Sequence, residues 1–189
     1  MTHYEGYLYI WSMRDTILTF ANGHRVTFVD RGIDDGGPYL RLEHLVRKVE
    51  RQAGPHWHPE LAESWTVREG RLRFRVDGVE IVANPGDTVT APPRAVHEFW
   101  SEAPDTRFDH EIRPPLRHWD MFRLWCALDA AGKTTAGRVP RNPLALALLW
   151  DYQDGYLAGI PAWVQRALLG GAARITRRAG YERRWLPAE

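Results

Sequence analysis

His56, His58, Glu63 and His97 are the residues of this sequence best suited to do chemistry together. Three imidazoles and a carboxylate are the donor set of a divalent transition metal with positions left open for a reactant. Alternate residues of a strand point the same way, so His56 and His58 can present their rings to one side of a sheet. Glu63 would open the return strand, and His97 would come from a later strand lying nearby. Glu60 is a rival carboxylate that reads as a solvent-exposed loop acid. Iron, manganese, nickel, copper and zinc all suit these donors, one ion per chain.

The spacing around these residues follows two patterns. His56, His58, Glu63 and Gly70 fit a Gly followed by H-x-H, four residues, Glu, six residues and Gly, with Gly54 nearer His56 than the usual opening Gly. Gly86, Pro92 and His97 fit G-x5-P followed by a histidine, with Arg94 where a Gly is usual and Ser101 where an Asn is usual. The pair resembles the two motifs of the cupin superfamily. That resemblance implies a mainly β fold, the cupin double-stranded β-helix or jelly-roll barrel, here with C-terminal α-helices. It also implies His56, His58, Glu63 and His97 as metal ligands, and a homodimer of paired barrels. The activities it covers include dioxygenases, isomerases, epimerases and cyclases.

Turn signals and periodicity give the supporting elements. Asp15 to Phe20 and Arg25 to Asp30 read as strands joined through Asn22-Gly23. Tyr39 to Arg51 reads as one long strand, with Leu40, Leu42, His44 and Val46 in one alternate set. Clean alternation follows from Leu61, with turns at Gly70, Asp77-Gly78 and Asn84-Pro85-Gly86-Asp87. Strands at Thr88 to Ala91, His97 to Ser101 and Thr106 to Arg113 complete a meander. After Pro114-Pro115 the period becomes helical, over Leu116 to Ala130, then from Asn142-Pro143 to about Leu157, then from Pro161 to near Gly180. In the last of these, Val164, Ala167, Leu168, Gly171 and Ile175 share a face. The expected division is residues 1–113 as a barrel with an aromatic N-terminal arm, and 114–189 as a helical extension packed on it.

Other side chains belong to the same picture. His110 shares an alternate set with Phe108 and Ile112, so it reads as an acid/base group beside the metal or as a satisfied structural histidine. Trp65 and Phe99 follow Glu63 and His97 by two residues and line a substrate pocket or fill the core. Trp119 stands in the apolar helix that would close the mouth. Tyr39, His44, Trp57 and His118 have no assigned role. Gly132-Lys133-Thr134 lacks the preceding strand and glycine of a phosphate loop. The arginines near the C-terminus read as a solvated helix end.

Composition narrows the function classes. A net charge of +1 over 189 residues, without a recognisable DNA-binding motif, argues against nucleic acid as partner. The longest fully apolar run, Leu144 to Trp150, is too short to span a bilayer. One cysteine, Cys126, excludes an intramolecular disulfide, and with no basic-then-apolar start the expected location is the cytoplasm. Within the range the cupin resemblance implies, the leading expectation is a metal-dependent enzyme acting on a small, largely apolar organic molecule, dioxygenase ahead of isomerase or cyclase, and by analogy with similar small cupins a role in bacterial secondary metabolism. The other reading is a non-catalytic ligand-binding or sensor module with a structural metal.

Overall fold

The computed structural model describes residues 17–186. The expected N-terminal aromatic arm lies outside the described residues. In chain order the elements are β1 (Ile17–Thr19), β2 (Arg25–Asp34), β3 (Gly37–Val46), β4 (Glu50–Trp57), β5 (Ala62–Glu69), β6 (Leu72–Val76), β7 (Val79–Ala83), β8 (Thr88–Ala91), β9 (His97–Ser101) and β10 (Thr106–Arg113). There follow α1 (His118–Ala130), α2 (Pro143–Gln153), β11 (Tyr156–Leu157), α3 (Ala162–Arg178) and α4 (Tyr181–Trp185).

The expected closed barrel is not what forms. Strands assemble into two open antiparallel sheets, ordered β1-β2-β3-β10-β5-β8 and β11-β4-β9-β6-β7, and neither closes on itself. With four helices added, the fold is mixed α and β. The sheets meet face to face through the aromatic residues of their inner faces. Trp65 of the first lies 5.2 Å from both Phe74 and Phe99 of the second, and Phe99 meets Phe108 edge to face at 6.0 Å. The second apolar cluster lies between the first sheet and the helices, joining Leu40, Leu42 and Ile112 to Trp119, Leu124, Leu128 and Leu148. The site lies between these two clusters.

Three local departures have physical reasons. The expected long strand Tyr39 to Arg51 divides, because the chain must pass from the first sheet to the second; β3 ends at Val46 and β4 starts at Glu50. Ser101, standing where an Asn is usual, spans this crossing: its hydroxyl donates to the Lys48 carbonyl at 2.6 Å. Second, α2 stops at Gln153 rather than Leu157. Asp154 turns left-handed (φ 46°), and Gly155 passes so close to the Trp150 ring that a Cβ would come within 2.6 Å of it. That turn frees Tyr156 and Leu157 to pair with Trp57 and His56 as an edge strand. Third, α3 buries Gln165, Ala173 and Thr176, while Leu168 and Ile175 of the expected apolar face are exposed.

Gly70 and the residue that replaces a second motif glycine sit in tight turns. Gly70 has φ +81°, and a Cβ there would come within 2.9 Å of the Thr106 Cα. Arg94, standing where a Gly is usual, keeps the left-handed conformation with φ 70°. Its N–H donates to the His58 carbonyl at 2.7 Å, so the turn is preserved without glycine and ties the His97 loop to a neighbouring site residue.

Candidate metal centre

His56, His58, Glu63 and His97 converge. One donor atom from each lies within 4.8 Å of every other, and all four residues are buried. Strand pairing does most of this work. His56 stands opposite His97 across β4 and β9, beside register shifts at Arg51/Ala53 and Ala53/His56. Such bulges re-aim a side chain by adding twist. Glu63 enters from the other sheet, paired to Ala91 on β8 and Ile112 on β10. His58 lies just past the end of β4, so both motif histidines reach the same point although only His56 is in the strand. Glu60 is exposed, as expected of a loop acid.

Each histidine is held by its far nitrogen. The Nδ1 of His56 lies 2.8 Å from the Gly54 carbonyl, that of His58 3.0 Å from the Gln153 carbonyl, and that of His97 3.0 Å from the Ala95 carbonyl. A carbonyl only accepts, so all three rings carry hydrogen on Nδ1 and turn Nε2 inward. This is how metal-binding imidazoles are oriented in proteins. The Gln153 carbonyl is at the last residue of α2, so the helical segment positions a ligand-type residue of the sheets.

The inward nitrogens are short of partners. His58 Nε2 is buried, 3.3 Å from Glu63 Oε2 but outside hydrogen-bonding geometry, so it has no hydrogen-bond partner. His97 Nε2 stands 2.9 Å from the same oxygen. With Nδ1 already donating, that contact needs a cation between nitrogen and oxygen, either a proton on Nε2 or a metal ion. Burial disfavours a charged His97, but Glu63 outweighs it and raises the His97 pKa. Burial, with His97 and His58 nearby, lowers His56 to about 3, keeping it neutral and available as a ligand. Burial would raise the Glu63 carboxyl, yet the imidazoles of His110, His58 and His97 hold it well below the usual carboxylate range. The residues fit a divalent metal: three imidazole nitrogens, one carboxylate and, among them, an unpartnered buried nitrogen on His58, all within 4.8 Å of one another.

The expected neighbours divide. His110 Nε2 lies 2.9 Å from Glu63 Oε1, and Trp65 stacks on the His110 ring at 5.2 Å. Trp65 and Phe99 both line a cavity of about 530 Å³ that opens onto His56 and Glu63. Trp119 does not line it; the indole packs edge-on against Phe28 at 5.4 Å, in the cluster between helices and sheet. Met121, Phe122 and Trp125 of α1 and Trp150 of α2 line the cavity instead.

Two unassigned histidines also belong here, and one residue was not singled out at all. His118, the first residue of α1, lines the cavity with Nε2 3.7 Å from Glu63 Oε1 and Nδ1 without a hydrogen-bond partner. Burial lowers its pKa to about 3. His44 stacks on Phe108 at 4.7 Å, and His24 lies beyond it. The one sequence signal for His44 was its place in an otherwise apolar alternate set, which marks an inward face.

The family model described as Cupin domain matches residues 45–106, a stretch containing all four clustered residues. Quercetin 2,3-dioxygenase of Bacillus subtilis strain 168 is 28% identical over 102 residues, 54% of this chain and 29% of that protein, so the chain matches under a third of the relative's length. Among solved structures, KdgF from Halomonas sp. superposes with a TM-score of 0.42 at 19% identity, covering 48% of this chain and 77% of that one. An RmlC-like cupin from Shewanella frigidimarina gives 0.44 at 19% identity, covering 54% and 86%. With its motif residues, the Cupin-domain match over residues 45–106 and a buried three-histidine, one-glutamate cluster between two antiparallel sheets, this chain has a cupin-superfamily fold.

Proposed function

We propose that this protein is a metal-dependent enzyme acting on a small, largely apolar, aromatic molecule, with dioxygenation favoured over isomerisation or cyclisation. The observation that carries the reading is the set of three backbone-anchored histidines that gathers with the Glu63 carboxylate, donor atoms within 4.8 Å of one another, beside a cavity lined by His56 and Glu63. A divalent metal held by His56, His58, Glu63 and His97 supplies Lewis-acid or redox chemistry towards a substrate oxygen or O₂. The chain's own part is to bind and orient. Trp65, Phe99, Phe122 and Trp150 offer flat apolar walls, and a cavity of about 530 Å³ suits a molecule of two or three rings. His110 is committed to Glu63 and acts through it. His118 lines the cavity and keeps its Nδ1 without a hydrogen-bond partner, which supports it as the imidazole that meets substrate. The choice of dioxygenation follows the partial likeness to quercetin 2,3-dioxygenase.

The test is oxygen uptake with quercetin by protein reconstituted separately with Fe²⁺, Mn²⁺, Ni²⁺, Cu²⁺ or Zn²⁺, after elemental analysis of protein purified without chelators. Uptake coupled to loss of the polyphenol's absorbance with one redox-active ion is the expected result. Binding of the polyphenol without turnover under any ion would support the non-catalytic reading instead.

A further inference from the structure

Three buried histidines outside the metal cluster lie end to end. Arg138 Nη1 is 3.1 Å from His24 Nδ1, and His24 Nε2 is 3.1 Å from His44 Nδ1. His44 Nε2 is 3.4 Å from His110 Nδ1, and His110 Nε2 is 2.9 Å from Glu63 Oε1. His24, His44 and His110 are each no more than 4% exposed, and Arg138 is 8% exposed. They come from four different elements: the β1–β2 turn, β3, β10 and the loop between α1 and α2.

The two ends fix the direction of everything between them. A guanidinium only donates, so His24 Nδ1 must accept and its hydrogen must sit on Nε2. His24 then donates to His44 Nδ1, which places the His44 hydrogen on Nε2 as well. His44 donates in turn to His110 Nδ1, and His110 Nε2–H meets the carboxylate, which only accepts when ionised. Every ring is required in the same neutral form. Burial, with Arg138 alongside, holds His24 at about 3, and burial with the other histidines keeps His44 well below its ordinary value. Arg138 is itself held by Glu50 at 2.8 Å, and Asn22 donates to the same Glu50 oxygen at 2.8 Å.

We propose that Arg138, His24, His44 and His110 form one polarised hydrogen-bond chain that occupies Glu63 Oε1 and leaves Oε2 as the carboxylate's ligand oxygen. Its consequence for metal binding rests on the function proposed above; its hydrogen-bond order does not. All four are positioning residues. They act through Glu63, whose Oε2 is the oxygen that faces His58 and His97. A chain of aligned donors strengthens each of its bonds in a water-poor interior. Arg138 also lines the cavity, so the chain joins the cavity wall to the metal ligand.

The direct test is ¹⁵N NMR of the metal-free, histidine-labelled protein, in which the two ring nitrogens of each neutral tautomer are distinguished by shift. His24, His44 and His110 are expected as three neutral Nε2–H rings, opposite to the Nδ1–H form of His56 and His58. A neutral Nδ1–H ring at any of the three would overturn the proposal. Co²⁺ titration is the second readout. Arg138→Met is expected to mix the tautomers and weaken Co²⁺ by roughly 10–100-fold, the usual effect of losing an outer partner of a metal ligand, while Arg138→Lys recovers both. Unchanged tautomers and unchanged Co²⁺ affinity in Arg138→Met would contradict it. Wild-type protein that shows the three Nε2–H rings yet takes up no Co²⁺ would remove the metal reading and leave the chain standing.

Discussion

His58→Ala and His97→Ala are each expected to lose stoichiometric metal, while Glu60→Ala keeps one ion per chain. His58 contributes a buried nitrogen with no hydrogen-bond partner, and His97 Nε2 faces a carboxylate oxygen at 2.9 Å. Each therefore donates directly to the common point. Removing one should cost more than the roughly 10–100-fold that loss of an outer partner costs. The substitutions open a small space in a polar region, so the fold should survive well enough for elemental analysis of purified protein. Equal metal in wild type and both histidine variants would remove these residues from the site. Metal loss in Glu60→Ala would mean that the exposed loop acid, not Glu63, is the carboxylate ligand.

The second large effect separates two aromatic residues of one helix. Trp119→Ala is expected to destabilise the fold by about 3–5 kcal/mol, as removal of a buried aromatic typically does, without weakening ligand binding by the folded protein. Trp119 is 5% exposed, stands on Phe28 and is absent from the cavity wall. Phe122, one turn on, lines the cavity and meets the His44 ring edge to face at 5.4 Å. Phe122→Ala is expected to weaken an aromatic ligand such as quercetin about tenfold or more, in line with roughly 1–3 kcal/mol for a lost apolar contact. Denaturant unfolding and fluorescence titration of both variants distinguish the roles. If Trp119→Ala lowers affinity at unchanged stability, the assignment of the two faces of α1 is reversed.

The contrast shows where sequence reading was strong. Spacing alone grouped His56, His58, Glu63 and His97, because a motif fixes local turns that geometry then honours, even with Arg94 holding a left-handed φ in place of glycine. Strands β8, β9 and β10 fall at the expected residues, since each is bounded by turn residues. What alternation cannot encode is which strands become neighbours. It therefore did not separate two open sheets from a closed barrel, nor show that Tyr39 to Arg51 changes sheet midway.

Helix faces were harder for a related reason. Leu116 to Ala130 is apolar around much of its girth, so periodicity could not say that Trp119 turns to Phe28 while Phe122 turns to the cavity. In α3, the expected stripe including Leu168 and Ile175 is exposed, and the helix packs through smaller residues such as Ala173 and Thr176. His24 was overlooked because a histidine after Asn22-Gly23 looks like turn solvent. Only cross-strand placement reveals it: Val26 stands opposite His44, which sets His24 diagonal to that ring, with His110 diagonal on the other side.

The central claim, that three backbone-anchored histidines and one glutamate oxygen hold a single ion, is met most directly by anomalous diffraction at the metal edge from crystals of the loaded protein. The expected result is one peak per chain, about 2.0–2.2 Å from Nε2 of His56, His58 and His97 and from Glu63 Oε2, with Glu63 Oε1 still on His110. A peak elsewhere, or none while His97 remains bonded to Glu63, would contradict it.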